Sequence, residues 1–355
     1  MAPEGDFWRG KRVLLTGHTG FKGAWLAIWL QELGAEVTGF ANGVPTDPSI
    51  FELAGLRDSM ETVWADIRDP EAVAGAVEGT AAEVVIHMAA QPFVRRSFLE
   101  PRETYETNVM GTVNLLDAVR NSGGVRVVVN VTSDKCYENL EQGRPFREDD
   151  AKGGHDPYSN SKGCAELVAD AYWRSYFRDE PNGPRLASGR AGNVIGGGDW
   201  GEDRLIPDVV RASAAGETVL VRSPRAIRPW QHVLNPLSGY LLLAERLWEE
   251  PADSLGWNFG PAESDALEVA EVLGRLDRAW PGGISWEVDD GKHPHEAQTL
   301  LLDSSKAREQ LSWAPGWDLA RGIEATAEWY AGWQGGEEVR ELTVGQLRGF
   351  PVSGA

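Results

Sequence analysis

Val127-Val128-Val129-Asn130-Val131-Thr132-Ser133-Asp134-Lys135 opens as an apolar, β-branched run and empties into four polar residues. The run reads as a short strand buried on both faces. The polar residues then stand at a strand's C-terminal end, where open α/β sheets bind ligands. Two hydroxyls, a carboxylate and an amine at that point suit chemistry better than packing. Downstream, Tyr158-Ser159-Asn160-Ser161-Lys162 leads into a helical pattern through Ala165, Leu167, Val168 and Ala171. Spaced i, i+4, Tyr158 and Lys162 share one helix face. An ammonium beside a phenol is expected to lower the phenol's pKa and make it a usable base.

Working outward, Arg12 to Leu15 gives a strand, Gly17-x-x-Gly20-x-x-Gly23 a tight turn, and Ala24, Leu26, Ala27, Ile28 and Leu30 an apolar helix. A glycine turn between a first strand and a first helix is the setting in which a helix N-terminus meets a dinucleotide's pyrophosphate. The second strand ends in Phe40-Ala41-Asn42 and offers no acidic residue to an adenosine ribose, so it does not choose between NAD and NADP. Lys22 reads either as a solvated lysine or as a partner for a 2′-phosphate. Val63-Trp64-Ala65 ends a third strand, and Asp66 after it caps the helix at Pro70 on the plainest reading. Val84 to Gln91 is a strand running into small residues, where Ala89 and Ala90 leave room for an adenosine. His87 precedes that strand's end and reads as a satisfied strand histidine. Thr107 to Thr112 opens a helix through Leu115, Leu116 and Val119, and Arg185 to Arg190 forms another strand. The alternation predicts an α/β fold, a Rossmann-like doubly wound parallel sheet with helices on both faces and a smaller C-terminal substrate-binding lobe.

From Gly196 the texture changes, with Arg204, Arg211, Arg222, Arg225 and Arg228 in quick succession. Arginines gathered inside an acidic chain suit a diphosphate pocket. Trp257-Asn258-Phe259-Gly260 is expected to return a strand to the main sheet. The expected division is therefore residues 1–192 for the dinucleotide, with a returning segment near 228–260, and residues 193–345 for a sugar-nucleotide lobe interleaved with it. Glu138 to Asp156 reads as a solvated rim, and the tail after Trp333 as loosely held.

A chain of 355 residues with 42% hydrophobic and 25% charged residues accommodates both lobes. Its net charge of −20 argues against nucleic acid or an anionic membrane as partner. Cys136 and Cys164 make no spaced framework, which fits a reducing cytoplasm, and no Cys/His cluster has metal-ligand spacing. No secretory leader or bilayer-length apolar run is legible. The 15 tryptophans scatter through the chain and read as core filler.

The glycine turn, Ser133 and the Tyr158/Lys162 pair resemble the extended short-chain dehydrogenase/reductase superfamily. Thr16-Gly17-His18-Thr19-Gly20-Phe21-Lys22-Gly23, Ser133-Asp134-Lys135-Cys136-Tyr137, Arg190 to Trp200 and Arg228-Pro229-Trp230-Gln231-His232-Val233 resemble its sugar-nucleotide 4,6-dehydratases, and most nearly their CDP-glucose branch. The resemblance spans roughly Gly10 to Tyr330. It implies NAD as cofactor, with NADP left open by the second strand's end. It places Gly17, Thr19, Gly20, Phe21, Lys22, Gly23, Asp66, Ile67, Ala89, Ala90, Asn108 and Thr132 beside that cofactor, together with Tyr158 and Lys162. Gln91, Asn193, Arg204, Leu205, Arg228 and His232 are implied to hold CDP-glucose or a related sugar nucleotide, with Glu296 to Asp303 closing the lobe. A homodimer or homotetramer is implied, and no metal.

The implied reaction makes C4 a ketone so that the C5 proton becomes acidic, removes water across C5–C6 and returns the hydride to C6. Tyr158, helped by Lys162, takes the 4-hydroxyl proton, Ser133 holds that oxygen and Asp134 is the acid. Lys135 stands where the dTDP-glucose enzymes carry glutamate, and is the C5 base or a structural ion-pair partner. An epimerase, or a dehydratase of dTDP- or GDP-sugars, is the nearer rival; a non-catalytic dinucleotide sensor is the distant one.

Overall fold

The computed structural model describes residue 3, residues 5–291 and residues 297–351. Seven strands form its central sheet: β1 (Arg12–Thr16), β2 (Glu36–Ala41), β3 (Glu61–Trp64), β4 (Val84–His87), β5 (Val127–Val131), β6 (Arg185–Arg190) and β7 (Gly256–Asn258). Their order is β7-β6-β5-β4-β1-β2-β3, and every pairing is parallel. The strand that closes the sheet beside β6 is the segment expected to return from the second lobe.

Both faces of the sheet are buried, which explains the β-branched runs. Val13, Leu15, Val84, Ile86, Val127 and Val129 point into one core, while Leu14, Val85, Val128 and Leu186 point into the other. Helix α1 (Phe21–Glu32) packs into the first core, and helices Pro70–Gly79 and Gly111–Ser122 into the second. Strand order reverses between β1 and β4, so the loops after the C-terminal ends of the strands open a crevice there.

Two readings change. The helix expected from Thr107 starts at Pro101 and passes through a π turn, Glu106–Met110, into Gly111–Ser122. Pro101 at the first helical position presets the backbone for that earlier start. The tail is packed rather than loose: helix Val339–Gly349 buries Val339, Thr343, Val344 and Leu347, and Trp329 donates to Thr343 Oγ1 at 3.1 Å. The loop from Glu138 is the largely exposed rim expected, and it is anchored at a few points. Phe146 bridges to Leu302, and Glu148 Oε1 accepts from the Asn258 N–H at 2.9 Å. Glu296 lies outside the described residues, whereas Leu302 and Asp303 do reach this loop. The tryptophans are largely core, among them Trp8, Trp25, Trp313 and Trp329.

Candidate active site

The loops after β1, β2, β3, β4, β5 and β6 line one cavity of about 780 Å³, and the arginine-rich segment closes its other side. At the β1 end, Gly17 has φ +74°, and a Cβ there would meet Ala89 N at 2.7 Å; one on Gly23 would lie 2.2 Å from Gly17 O. The turn therefore requires glycine at both positions. Gly20, the N-cap of α1, supplies no side chain, so the first-turn N–H groups face the cavity edge without a cap. This cradle fits a dinucleotide's pyrophosphate. Thr19, Phe21, Lys22, Ile67, Ala89, Ala90 and Thr132 line the same cavity.

Two of the residues assigned to the cofactor, Asp66 and Asn108, do not line this cavity. Asp66 is pinned by Arg68 at 2.7 Å and by Asn42 at 3.2 Å, and these bonds hold its carboxyl down at about 2. Asn108 is buried in the π turn, accepts from the Gln91 N–H at 2.8 Å and donates to Ser161 Oγ at 2.8 Å. It fastens the post-β4 loop to the helix that carries Tyr158, an example of a π turn at a functional position.

At the β5 end, Ser133 caps a single turn of 3-10 helix, Asp134–Cys136. Its hydroxyl donates to Asp134 Oδ1 at 2.9 Å. Asp134 Oδ2 is buried and has no partner among the described residues. Burial raises the Asp134 pKa against the lowering pull of Lys135, Ser133, Arg228 and Lys22. Lys135 is part-buried, with Nζ 6.0 Å from the centre of the Tyr158 ring.

Helix α2 (Pro157–Tyr172) begins with Asp156 as N-cap, accepting from the Ser159 N–H at 2.9 Å, and Pro157 at its first position. Tyr158 and Lys162 are both buried on the face toward the cavity. The expected lowering of the phenol is not found. Burial, with Asp134 adding, pushes Tyr158 up to about 12 although the Ser133 hydroxyl works the other way. Lys162 is brought down to about 8 by burial and by the charge of Lys22. Shared helix face is legible from spacing, but desolvation sets the direction at both groups.

In the second lobe, helix α3 (Leu205–Ala215) starts at the cavity wall, with Arg204 as its N-cap. Arg204 forks onto both oxygens of Asp199 at 3.0 Å, and Asp199 is fixed in turn by Tyr330, whose hydroxyl donates to its carbonyl at 2.6 Å. Leu205, Asn193, Arg222 and Arg228 also line the cavity; Arg211 is turned to Asp208 instead. Gln91 lines it too, but its side-chain amide is occupied by Phe93 and Thr104. His232 does not reach the cavity. It is fully buried between Trp25 and Trp317, and burial lowers it to about 3. The resemblance assigns it to the substrate, but the short strand Gln231–His232 pairs with Val194–Ile195 and the ring packs into the tryptophan core behind the cavity.

Sequence reasoning missed a second set of groups behind the turn. Arg190 at the end of β6 donates to Glu166 of α2 at 2.9 and 2.6 Å, and to the Tyr137 hydroxyl at 2.7 Å. Thr132 Oγ1 donates to Glu166, and Tyr137 donates to Asn258 at 2.6 Å. Asp199 was also passed over; its place in a run of glycines beside Arg204 was the available signal. His87, as expected, is satisfied inside the sheet by Thr16 at 2.7 Å.

A family model described as GDP-mannose 4,6 dehydratase matches residues 14–326. A CDP-glucose 4,6-dehydratase from Salmonella typhimurium is 52% identical over 338 residues, 94% of each chain. Among solved structures, a UDP-glucose-4-epimerase from Stenotrophomonas maltophila superposes with TM-score 0.79 at 22% identity, covering 92% of this chain and 99% of that one. A dTDP-glucose 4,6-dehydratase from Bacillus anthracis superposes with TM-score 0.74 at 20% identity, covering 91% and 97%.

Proposed function

We propose that this chain, which belongs to the GDP-mannose 4,6-dehydratase family, converts CDP-glucose to CDP-4-keto-6-deoxyglucose and water with NAD as cofactor. The observation that carries the reading is the likeness to the Salmonella enzyme over nearly the full length of both chains, with Ser133-Asp134-Lys135 and the Tyr158/Lys162 pair facing one cavity. The structures of related epimerases and dehydratases hold NAD, and the glycine cradle of this chain suits the same group.

The cofactor, when bound, supplies an oxidised nicotinamide that takes hydride from C4 and returns it to C6. Tyr158 accepts the 4-hydroxyl proton, for which its high pKa makes it a strong base once ionised. Lys162, poised near neutrality, stabilises that phenolate, and Ser133 donates to the developing carbonyl. Asp134, whose pKa burial raises, gives its proton to the departing oxygen, and Lys135 takes the C5 proton. Residues 1–192 with the segment near 228–260 serve the dinucleotide and residues 193–345 the sugar nucleotide. Arg204 and Arg228 face its diphosphate. The exposed Phe98, Leu99, Met110 and Leu167 on neighbouring helices suit a homodimer or homotetramer.

The test is a substrate panel. Purified protein with added NAD is given CDP-, dTDP- and GDP-glucose, and 4-keto sugar is followed by its absorbance in alkali. Product from CDP-glucose at rates at least tenfold above the others supports the reading, and an equal or reversed preference removes the nucleotide assignment.

A further inference from the structure

We propose that Lys22 works on the substrate rather than on the cofactor's phosphates: its ammonium and the free Oδ2 of Asp134 bracket the hexose oxygen that leaves as water. The inference rests on the dehydratase reading above and deepens it.

Lys22 is the second residue of α1, where the Cα–Cβ bond leans back toward the helix N-terminus and over the cavity. The turn's phosphate-facing groups are backbone N–H groups, which need no side chain. Among the described residues the Lys22 ammonium has no hydrogen-bond or ion-pair partner. The charges that act on it are those of Arg204, Asp134 and Asp199, and its own charge acts in turn on Asp134 and Lys162. All of these groups line the one cavity. Asp134 is 2% exposed, and its Oδ2 is likewise without a partner. An unmatched ammonium and an unmatched carboxyl oxygen facing one space call for a ligand atom that serves both. A hydroxyl does so, because its oxygen accepts from the ammonium and takes a proton from the carboxyl.

In the elimination the C5–H bond breaks and its electron pair becomes the C5–C6 double bond, while the proton passes to the Lys135 amine. The C6–O bond breaks with its pair staying on oxygen. That oxygen takes the Asp134 proton and departs as water, so no electrons enter or leave. The charge that remains on Asp134 then faces the Lys22 ammonium instead of an apolar wall.

The test compares wild type, Lys22→Met and Lys22→Arg. Dinucleotide affinity is read from tryptophan fluorescence quenching without substrate, and single turnovers with CDP-glucose are followed through the absorbance of reduced nicotinamide. Lys22→Met is expected to hold dinucleotide affinity within about twofold. Since the Lys162 pKa moves when the Lys22 charge is lost, the rate at which reduced nicotinamide forms should change by no more than about fivefold. Its decay should then slow about 100-fold, the usual cost of one lost transition-state donor. Lys22→Arg should recover most of that loss. A tenfold or greater loss of dinucleotide affinity, or a decay that is not slowed, overturns the inference. Lys22→Gln gives the same comparison if the methionine variant does not fold. Wild type that forms no 4-keto product defeats the dehydratase reading instead, so the two failures are distinguishable.

Discussion

Two clusters of buried charge meet at the end of β5, and they are built on opposite plans. Thr132, Glu166, Arg190, Tyr137 and Asn258 form a closed set in which both guanidinium and carboxylate are matched. Lys22, Asp134 and Lys162, on the cavity side, hold like charges near one another and leave Asp134 Oδ2 and the Lys22 ammonium unmatched. The closed set fixes the positions of β5, β6 and α2 relative to one another. The open set depresses two amines and raises a carboxyl, which costs the fold stability and prepares the groups for a ligand. Buried polarity alone does not mark a site; unmatched charged groups gathered on one cavity do.

The comparison breaks most visibly at Arg190. Arg190→Met strands a Glu166 carboxylate that is 1% exposed, and urea unfolding should show a loss of about 3–5 kcal/mol. Burial raises Glu166, but Arg190 and Thr132 outweigh it and hold the pKa below its ordinary value. The stability it contributes is therefore present above the unfolded value and is lost as pH falls through the folded one, and this acid-side loss should vanish in the variant. On the open side the cost falls on rate. Tyr158→Phe should lower turnover by about 10³-fold with an unchanged melting temperature, as removal of a positioned base does.

Lys162→Met sharpens the contrast, because it should make the protein more stable while abolishing efficient turnover. The native pKa of about 8 lies below the ordinary 10.5. Below pH 8 both states hold the proton and the native state carries the full burial cost. Between the two values the unfolded chain binds more protons, so wild-type stability rises with pH. The variant should therefore gain roughly 3 kcal/mol at pH 7, with the gap closing toward pH 10.5.

The smallest effect is expected at His232. Its pKa of about 3 keeps it neutral inside, so it destabilises the fold as pH falls from its ordinary value toward that figure. His232→Leu should flatten this acid dependence in thermal scans while changing turnover by less than about twofold, because the side chain does not line the cavity.

Much of the fold is legible because parallel strands announce themselves: each central strand is a short apolar run ending in small or polar residues, and the glycine turn sits between the first strand and helix. The site's catalytic turn and the Tyr158 helix are legible for the same local reason. What escapes is non-local. The Glu166–Arg190 pair joins a helix to a strand 24 residues away. The last helix reads as a polar tail until Trp329 and Gln31 supply partners for Thr343 and Arg340. The direction of Lys22 and the rise of Tyr158 depend on how much water the assembled cavity excludes, which spacing does not encode.

The central claim is dehydration through a ketone at the β5 turn. The most direct measurement is to incubate wild type and Asp134→Asn with CDP-glucose and NAD in deuterated water and to read the product by mass and NMR. The account predicts that wild type gives a product lighter by one water and carrying one deuterium at C5. It predicts that Asp134→Asn exchanges C5 hydrogen while retaining the 6-hydroxyl. A wild-type product of unchanged heavy-atom composition with an inverted stereocentre would contradict it and make the chain an epimerase.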